Sequence, residues 1–351
     1  MKILYDGYWW TQGPASNREV MREIAFSWLR QFQDEITIFG REGDQAVIRQ
    51  EVLNRVNRNV DVITSRVRPH GIAVLSSMQR QARRGAYDAI FSQNFSVSHS
   101  RSTVFLHDVL FETNPEWFTK AERAYFGLMT RTIGRATAVF TSSSSESVRI
   151  ANNTRARRVL EVGLGPRQSM MDASSEVPPI PINVEQFVLC VGRFNVRKNL
   201  PRAIKGALES GRIGANFPLV IVGDNFPNAG SGDPTIDAAL ENGSLIAPGF
   251  VTDDQLRWLY ENCAVFLMAS LDEGFGMPVA EAATFGRPVV ASNIPVFREI
   301  VQDAYFADPN SVPDLGATIK EAIDQRRPAR VRRPISWDQV AAEIRDEISN
   351  L

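Results

Sequence analysis

A chain of 351 residues is long enough for two ordinary domains, and 44% hydrophobic with 23% charged residues excludes the disordered and fibrous classes. A net charge of −1 gives no reason to expect a nucleic-acid partner, yet it conceals a division: residues 1–170 carry 23 Lys/Arg against 16 Asp/Glu, and residues 171–351 carry 16 against 24. A basic first half facing something anionic and a chance surface composition are equally good readings of that division.

The first residues, MKILYDGYWW, read as a strand and not as a secretory signal, and no apolar run is long enough to cross a bilayer. A cytoplasmic protein is expected. KILYDG, EITIFG, NVDVITS, YDAIFSQ, STVFLHD and ATAVFTSS are strand-like, and amphipathic stretches such as Ser16–Gln33 and Thr119–Gly134 lie between them. That alternation predicts βαβ units on a mostly parallel sheet over residues 1–170. Within it, SRVRPHGIAVLSSMQRQARRG (Ser65 to Gly85) sets arginines about an apolar helical stretch, which suits either an anionic membrane surface or a surface helix packed by its apolar face. The Gly163/Gly165 pair in VGLGP runs into a proline instead of a helix, so it is no dinucleotide fingerprint.

Pro, Ser and acidic residues then cluster, and residues 171–186 read as an interdomain linker. The alternation restarts with FVLCVGRF, PLVIVGD, SLIAPGFV, AVFLMAS and RPVVASN, and Thr252 with Gln255 forms a capping-box pattern. Residues 187–334 are thus expected to form a second doubly wound domain, with the ligand cleft at the carboxyl ends of the strands. A helix over about 335–351 is expected to pack back on the first domain. Cys190 and Cys263 both sit in apolar runs, as buried thiols do.

Two features of the second half carry chemistry. In VGRFNVRKNLPRAI, Gly192 leaves a strand, and Arg193 and Lys198 ride on the loop into the next helix, where cations and helix-terminal amides together suit a diphosphate. In EGFGMPVAEAATFGRPVVAS, Gly274 and Gly276 allow close backbone approach, Pro278 suits the first helical position, and Gly286 ends the helix. Glu273 is placed before the loop and Glu281 in the helix's first turn.

GRFNVRKN, GFVTDDQL and EGFGMPVAEAATFGRPVVAS together closely resemble the donor-binding half of the retaining glycosyltransferases of family 4 type, which have the GT-B fold: two doubly wound Rossmann-like domains facing a central cleft. NIPVFREIV matches the segment that usually follows, and the resemblance covers most of residues 187–340. STVFLHDVLFETNPEWF and ATAVFTSSSSESVRIA resemble the family's first domain more loosely, and YWWTQGPASNREV departs from its glycine-rich loop, with only Gly13 and Pro14. The resemblance implies that Arg193 and Lys198 bind the nucleotide diphosphate of a sugar donor. It implies that Glu281 takes the ribose hydroxyls, and that Glu273 holds the sugar with the amides of Phe275, Gly276 and Met277. His107 would touch the sugar, and the base would lie against Phe250 and Val251 near Gly223 and Asp224. Tyr8, Trp9, Trp10 and Asp108 are acceptor candidates, the aromatics being as well suited to a loop core.

Neither a cofactor nor a metal is expected: the sequence has no Asp-x-Asp and no ligand-spaced His/Cys/Asp cluster. The expected reaction is hexosyl transfer from a nucleotide sugar to a glycan or lipid-linked acceptor in cell-surface polysaccharide synthesis. The loop and HDVLF segments look most like those of bacterial mannosyl- and rhamnosyltransferases, which favours GDP-mannose over dTDP- or UDP-sugars. A sugar-nucleotide epimerase and a non-catalytic partner subunit of the same fold are the rival readings. A glycosidase would need the two carboxylates but not the paired cations.

Overall fold

The computed structural model describes residues 1–183, 185–223 and 233–351. The chain divides into two compact units, Met1–Gly165 with Ile335–Leu351, and Pro166–Pro334. Each is built on its own parallel sheet.

The first unit's strands are β1 (Lys2–Asp6), β2 (Glu35–Arg41), β3 (Asp61–Ser65), β4 (Ala89–Gln93), β5 (Ser102–Phe105), β6 (Ala138–Thr141) and β7 (Val159–Glu161). They lie in the order β3-β2-β1-β4-β5-β6-β7, all parallel. Parallel strands are covered on both faces, which is why β4 and β6 are buried at every position. The sequence pattern anticipated six of the seven; β7 was too short and polar to stand out. The helix Lys120–Ile133 opens on a capping box, Thr119 Oγ1 accepting from the Glu122 amide while the Glu122 side chain accepts from that of Thr119. Residues 70–84 form an almost continuous helix whose apolar side (Ala73, Val74, Met78 and Ala82) packs in the core.

The tail joins this unit. Helix Trp337–Ser349 packs on helix Ala15–Gln31, burying Trp337, Val340, Ala341, Ile344 and Ile348. Gln31 donates to the Asp338 carbonyl at 3.0 Å, Arg345 to Asp34 at 3.2 Å and Arg158 to Glu347 at 2.9 Å. The two glycines of VGLGP make room for it. A Cβ on Gly165 would lie 2.8 Å from the Trp337 ring, and one on Gly163, at φ +72°, 3.2 Å from Ile335.

In the second unit, β8 (Val188–Val191), β9 (Leu219–Val222), β10 (Leu245–Gly249), β11 (Val265–Met268), β12 (Val289–Ser292), β13 (Val301–Gln302), β14 (Tyr305–Ala307) and β15 (Arg330–Val331) follow in the chain. Six form a parallel sheet in the order β10-β9-β8-β11-β12-β14, and β13 pairs with β15 in a short antiparallel ribbon. Of residues 171–186, expected as a linker, the described ones belong to this unit and are tied to its surface. Met170 is fully buried, Arg257 donates to the carbonyls of Met171 (2.6 Å) and Ala173 (2.8 Å), and Ser174 and Ser175 bond Asp254 and Glu261. Pro-rich composition marked an irregular segment correctly, but side chains from helix Asp253–Asn262 hold it down.

In both sheets the strand order reverses once, between β1 and β4 and between β8 and β11. Loops leaving the carboxyl ends of strands at such a reversal part to opposite faces, and the crevice left there is where α/β proteins bind ligands.

Candidate active site

At the second unit's reversal, β8 and β9 end in unusually close approach. Gly192 donates to the Val222 carbonyl at 2.9 Å, and a Cβ on Gly223, at φ +153°, would meet the Gly192 carbonyl oxygen at 2.2 Å. Only glycine fits there. The chain then loops through Arg193, Arg197 and Lys198 into helix Leu200–Glu209. Asn199, left-handed at φ +54° and buried, fixes the loop by donating to the carbonyls of Ala269 (3.0 Å) and Pro309 (2.7 Å). The Leu271 amide donates to the Arg197 carbonyl at 2.8 Å, tying this loop to the exit of β11.

That tie brings the two sequence motifs together. Glu273 is 5% exposed and its Oε1 accepts from Lys198 Nζ at 2.7 Å and from Ser270 Oγ at 2.9 Å, while Arg197 pairs with Oε2. Burial alone would raise the Glu273 carboxyl, but Arg197 and Lys198 outweigh it and hold it at about 2. Burial lowers the Lys198 ammonium from its ordinary value, an effect that Glu273 partly offsets. Arg197 and Lys198 both pair with Glu273, and Arg193, expected beside Lys198 on a diphosphate, is exposed at the strand end. Arg197 was legible only as the neighbour of Lys198.

Beyond Glu273 the chain turns through buried Gly274 and half-buried Phe275 to Gly276, the N-cap of helix Met277–Thr284. Gly276 is left-handed at φ +99°, and a Cβ there would lie 2.4 Å from the Phe297 ring. Met277 is the first helical residue and Pro278 the second, one position later than expected; a second-position N–H is equally without a helical partner. Gly286, at φ +66°, ends the helix in a Schellman turn, its amide bonding the Ala283 carbonyl and that of Arg287 bonding Ala282. Glu281, placed by the sequence in the first turn, is in the second, because the helix starts at Met277. It is 2% exposed and pairs with Arg167 and Tyr260. Sequence reasoning missed both partners; Arg167 is 114 residues away along the chain.

Of the residues expected near the base, Phe250 is 81% exposed, whereas the Val251 side chain is in the core and has no face to offer. Asp224 lies outside the described residues.

The remaining candidates belong to the first unit, at its own strand reversal. His107 follows β5, half-buried, its ring against Phe105 and Nε2 at 3.4 Å from Gln93 Oε1. Burial, reinforced by His70, pushes its imidazole down to about 3, so it is neutral. The Leu110 amide donates to Asp108 at 3.3 Å. Trp9 is partly exposed with its ring centroid 4.2 Å from that of His70, and Gly13, at φ +109°, closes the loop over the Trp9 ring. Trp10 does not fit an acceptor role: it is 1% exposed, edge-on to Phe26, with its indole N–H on Glu51. Tyr8 is likewise buried, its hydroxyl on the Val67 carbonyl. Unforeseen is His70, whose Nε2 is 2.8 Å from Asp6 Oδ2 in the core. Among the described residues, no group of three or more His, Cys, Asp or Glu is arranged to hold a metal ion.

Residues 177–335 match the family of glycosyl transferases group 1. O-antigen chain mannosyltransferase B of Escherichia coli is 28% identical over 285 residues, which are 75% of this chain and 70% of that protein. The serotype-specific mannosyltransferase WbdA of Escherichia coli is 29% identical over 202 residues, 54% of this chain and 25% of that longer protein. HepE of Anabaena, solved in complex with UDP-glucose, has a TM-score of 0.65 at 16% identity, with 100% of both chains covered. The match to that family lies almost wholly in the second unit, and the chain has the GT-B fold. In sequence it resembles bacterial mannosyltransferases.

Proposed function

We propose that this chain transfers a hexose, with retention of anomeric configuration, from a nucleotide-diphosphate sugar to a hydroxyl of a glycan or lipid-linked acceptor. The observation that carries the reading is the cluster at the strand reversal in which half-buried Lys198 and Arg197 meet buried Ser270 and Glu273, beside a glycine-capped helix start. Lys198 and Arg193, with Arg197 added, stabilise charge growing on the diphosphate as the bond from the anomeric carbon to the phosphate oxygen breaks. The acceptor oxygen forms its bond on the same face, and its proton passes to an oxygen of the departing diphosphate. Glu273, held in place by its cations, accepts hydroxyls of the sugar, and the amides after Gly274 assist. Neutral His107 serves as a hydrogen-bond partner to the sugar, not as a second cation on phosphate. With fixed cations facing the diphosphate, the reaction is expected to need no metal ion.

GDP-mannose is the preferred donor: the Escherichia coli relatives named mannosyltransferases support the mannosyl group, and the guanosine rests on the motif resemblance alone. A UDP-sugar, the class of ligand in the Anabaena structure, is the alternative, with dTDP-sugars behind it. The product would enter cell-surface polysaccharide on the cytoplasmic side, and the basic face of residues 65–85 would meet any anionic membrane there by charge alone.

Thermal-shift measurement against GDP, UDP and dTDP tests the site. One nucleotide should raise the melting temperature, and Lys198→Ala should abolish that rise and lower transfer by about a hundredfold or more. Transfer should survive EDTA. A full response in the variant would remove Lys198 from the site, and EDTA inhibition reversed by a divalent ion would end the metal-free reading.

A further inference from the structure

The carboxylate of Glu281 has its lone pairs taken. Oε1 accepts from Arg167 Nε and Nη2, both at 3.2 Å, and Oε2 accepts from Nη2 at 3.2 Å and from the Tyr260 hydroxyl at 2.8 Å. A carboxylate offers about four such acceptor sites. The two partners differ in kind. Tyr260 is fully buried, stacked on Phe285 with ring centroids 5.8 Å apart and tilted against Phe266 at 5.6 Å, so its hydroxyl is a fixed donor from the core side. Arg167 is the outer partner: its side chain is 25% exposed, and Nη1 reaches outward to Asp253 Oδ1 at 3.3 Å. Its contacts, at 3.2–3.3 Å, are longer than the 2.7–2.9 Å usual for a charge-assisted pair.

This arrangement has a consequence for the nucleoside half of the donor, and it rests on the function proposed above. Of the two partners of Glu281, Arg167 is the solvent-exposed one, so it lies on the side from which a ribose diol would approach. We propose that Arg167 is the positioning residue for Glu281: it holds the carboxylate turned outward in the empty site, then yields its Nη2 bonds to the ribose 2′- and 3′-hydroxyls while Nε stays on Oε1 and Nη1 on Asp253. Arg167 thereby sets the discrimination between ribose and deoxyribose. Without it, only the Tyr260 bond fixes the carboxylate, and its outward orientation is lost.

Calorimetric titration of the full chain with GDP and UDP, each beside its 2′-deoxy counterpart, tests this. The wild-type chain should prefer the ribonucleotide by about tenfold, the value of one hydrogen bond to a charged group. Arg167→Ala should lose that preference, binding the ribonucleotide about tenfold more weakly and the deoxynucleotide almost unchanged. Arg167→Lys should restore part of the ratio, and it gives the same reading should the alanine variant fold poorly. With donor sugar, KM should rise while kcat changes little. An unchanged ratio in either variant, or equal loss of both nucleotides, would overturn the positioning role while leaving glycosyl transfer standing. If GDP, UDP and dTDP all fail to bind the wild-type chain, the glycosyl-transfer reading falls, and this one with it.

Discussion

Glu273 and Lys198 hold each other in opposite states of comfort. The carboxyl, at about 2 against an ordinary 4.5, is stabilised by folding, so its contribution is complete above pH 4.5 and is lost as pH falls toward 2. The ammonium is depressed by burial, so it surrenders its proton below the 10.5 of an ordinary lysine. The pair's net stabilisation is therefore smaller than the Glu273 shift alone implies, and its charge state is bounded on both sides. We expect nucleotide-induced stabilisation to decline below pH 4.5 and again on the alkaline side before pH 10.5. A calorimetric series across pH reads both limits, and insensitivity at both ends would detach the pair from donor binding. At this scale the sequence was informative where chemistry is local. Glu273, Lys198 and the glycines stood out because motif spacing records them. Arg167 and Tyr260 did not, because their partner Glu281 is distant in sequence and no periodicity encodes the pairing.

Among the elements, helix Met277–Thr284 shows how firmly a loop can be built around one missing side chain. Gly276 combines a left-handed φ of +99° with a Cβ position 2.4 Å from the Phe297 ring. The backbone strain of alanine there is about 1–2 kcal/mol, and crowding a packed ring adds about 1–3 kcal/mol. Gly276→Ala should thus destabilise the second unit by about 2–5 kcal/mol, seen as a lower urea midpoint with unchanged slope, and weaken nucleotide binding further by shifting the amides. A variant with wild-type midpoint would mean that Phe297 moves aside freely. Strand and helix identities were readable because hydrophobic alternation and capping residues such as Thr119 and Thr252 act within a few positions. The helix start was misjudged by one residue because Pro278 is equally at home in the second position, and that displaced Glu281 from the first turn.

For the whole molecule, the units redraw the charge map. Adding residues 335–351 to residues 1–165 leaves 23 Lys/Arg against 20 Asp/Glu, so the first unit is +3 and the second −4, in place of the +7 and −8 of the two sequence halves. The acidic tail neutralises part of the basic half through contacts such as Arg158–Glu347, which weakens the case for an anionic partner. The VGLGP glycines were visible in the sequence, but their purpose lay 172 residues on from Gly165, at Trp337. Trp337→Ala should lower the unfolding temperature of the first unit, costing about 3–5 kcal/mol, while the nucleotide-responsive transition of the second unit stays put. Scanning calorimetry separates the two, and a shift of both together would contradict it. The same return of the chain has a meaning for biosynthesis. A ribosome delivers the first unit's seven strands early, but the helix that covers Ala15–Gln31 emerges only after the entire second unit. The unit whose sequence comes first is therefore the one completed last, and its uncovered helix face must wait, shielded or idle, for translation to reach residue 351.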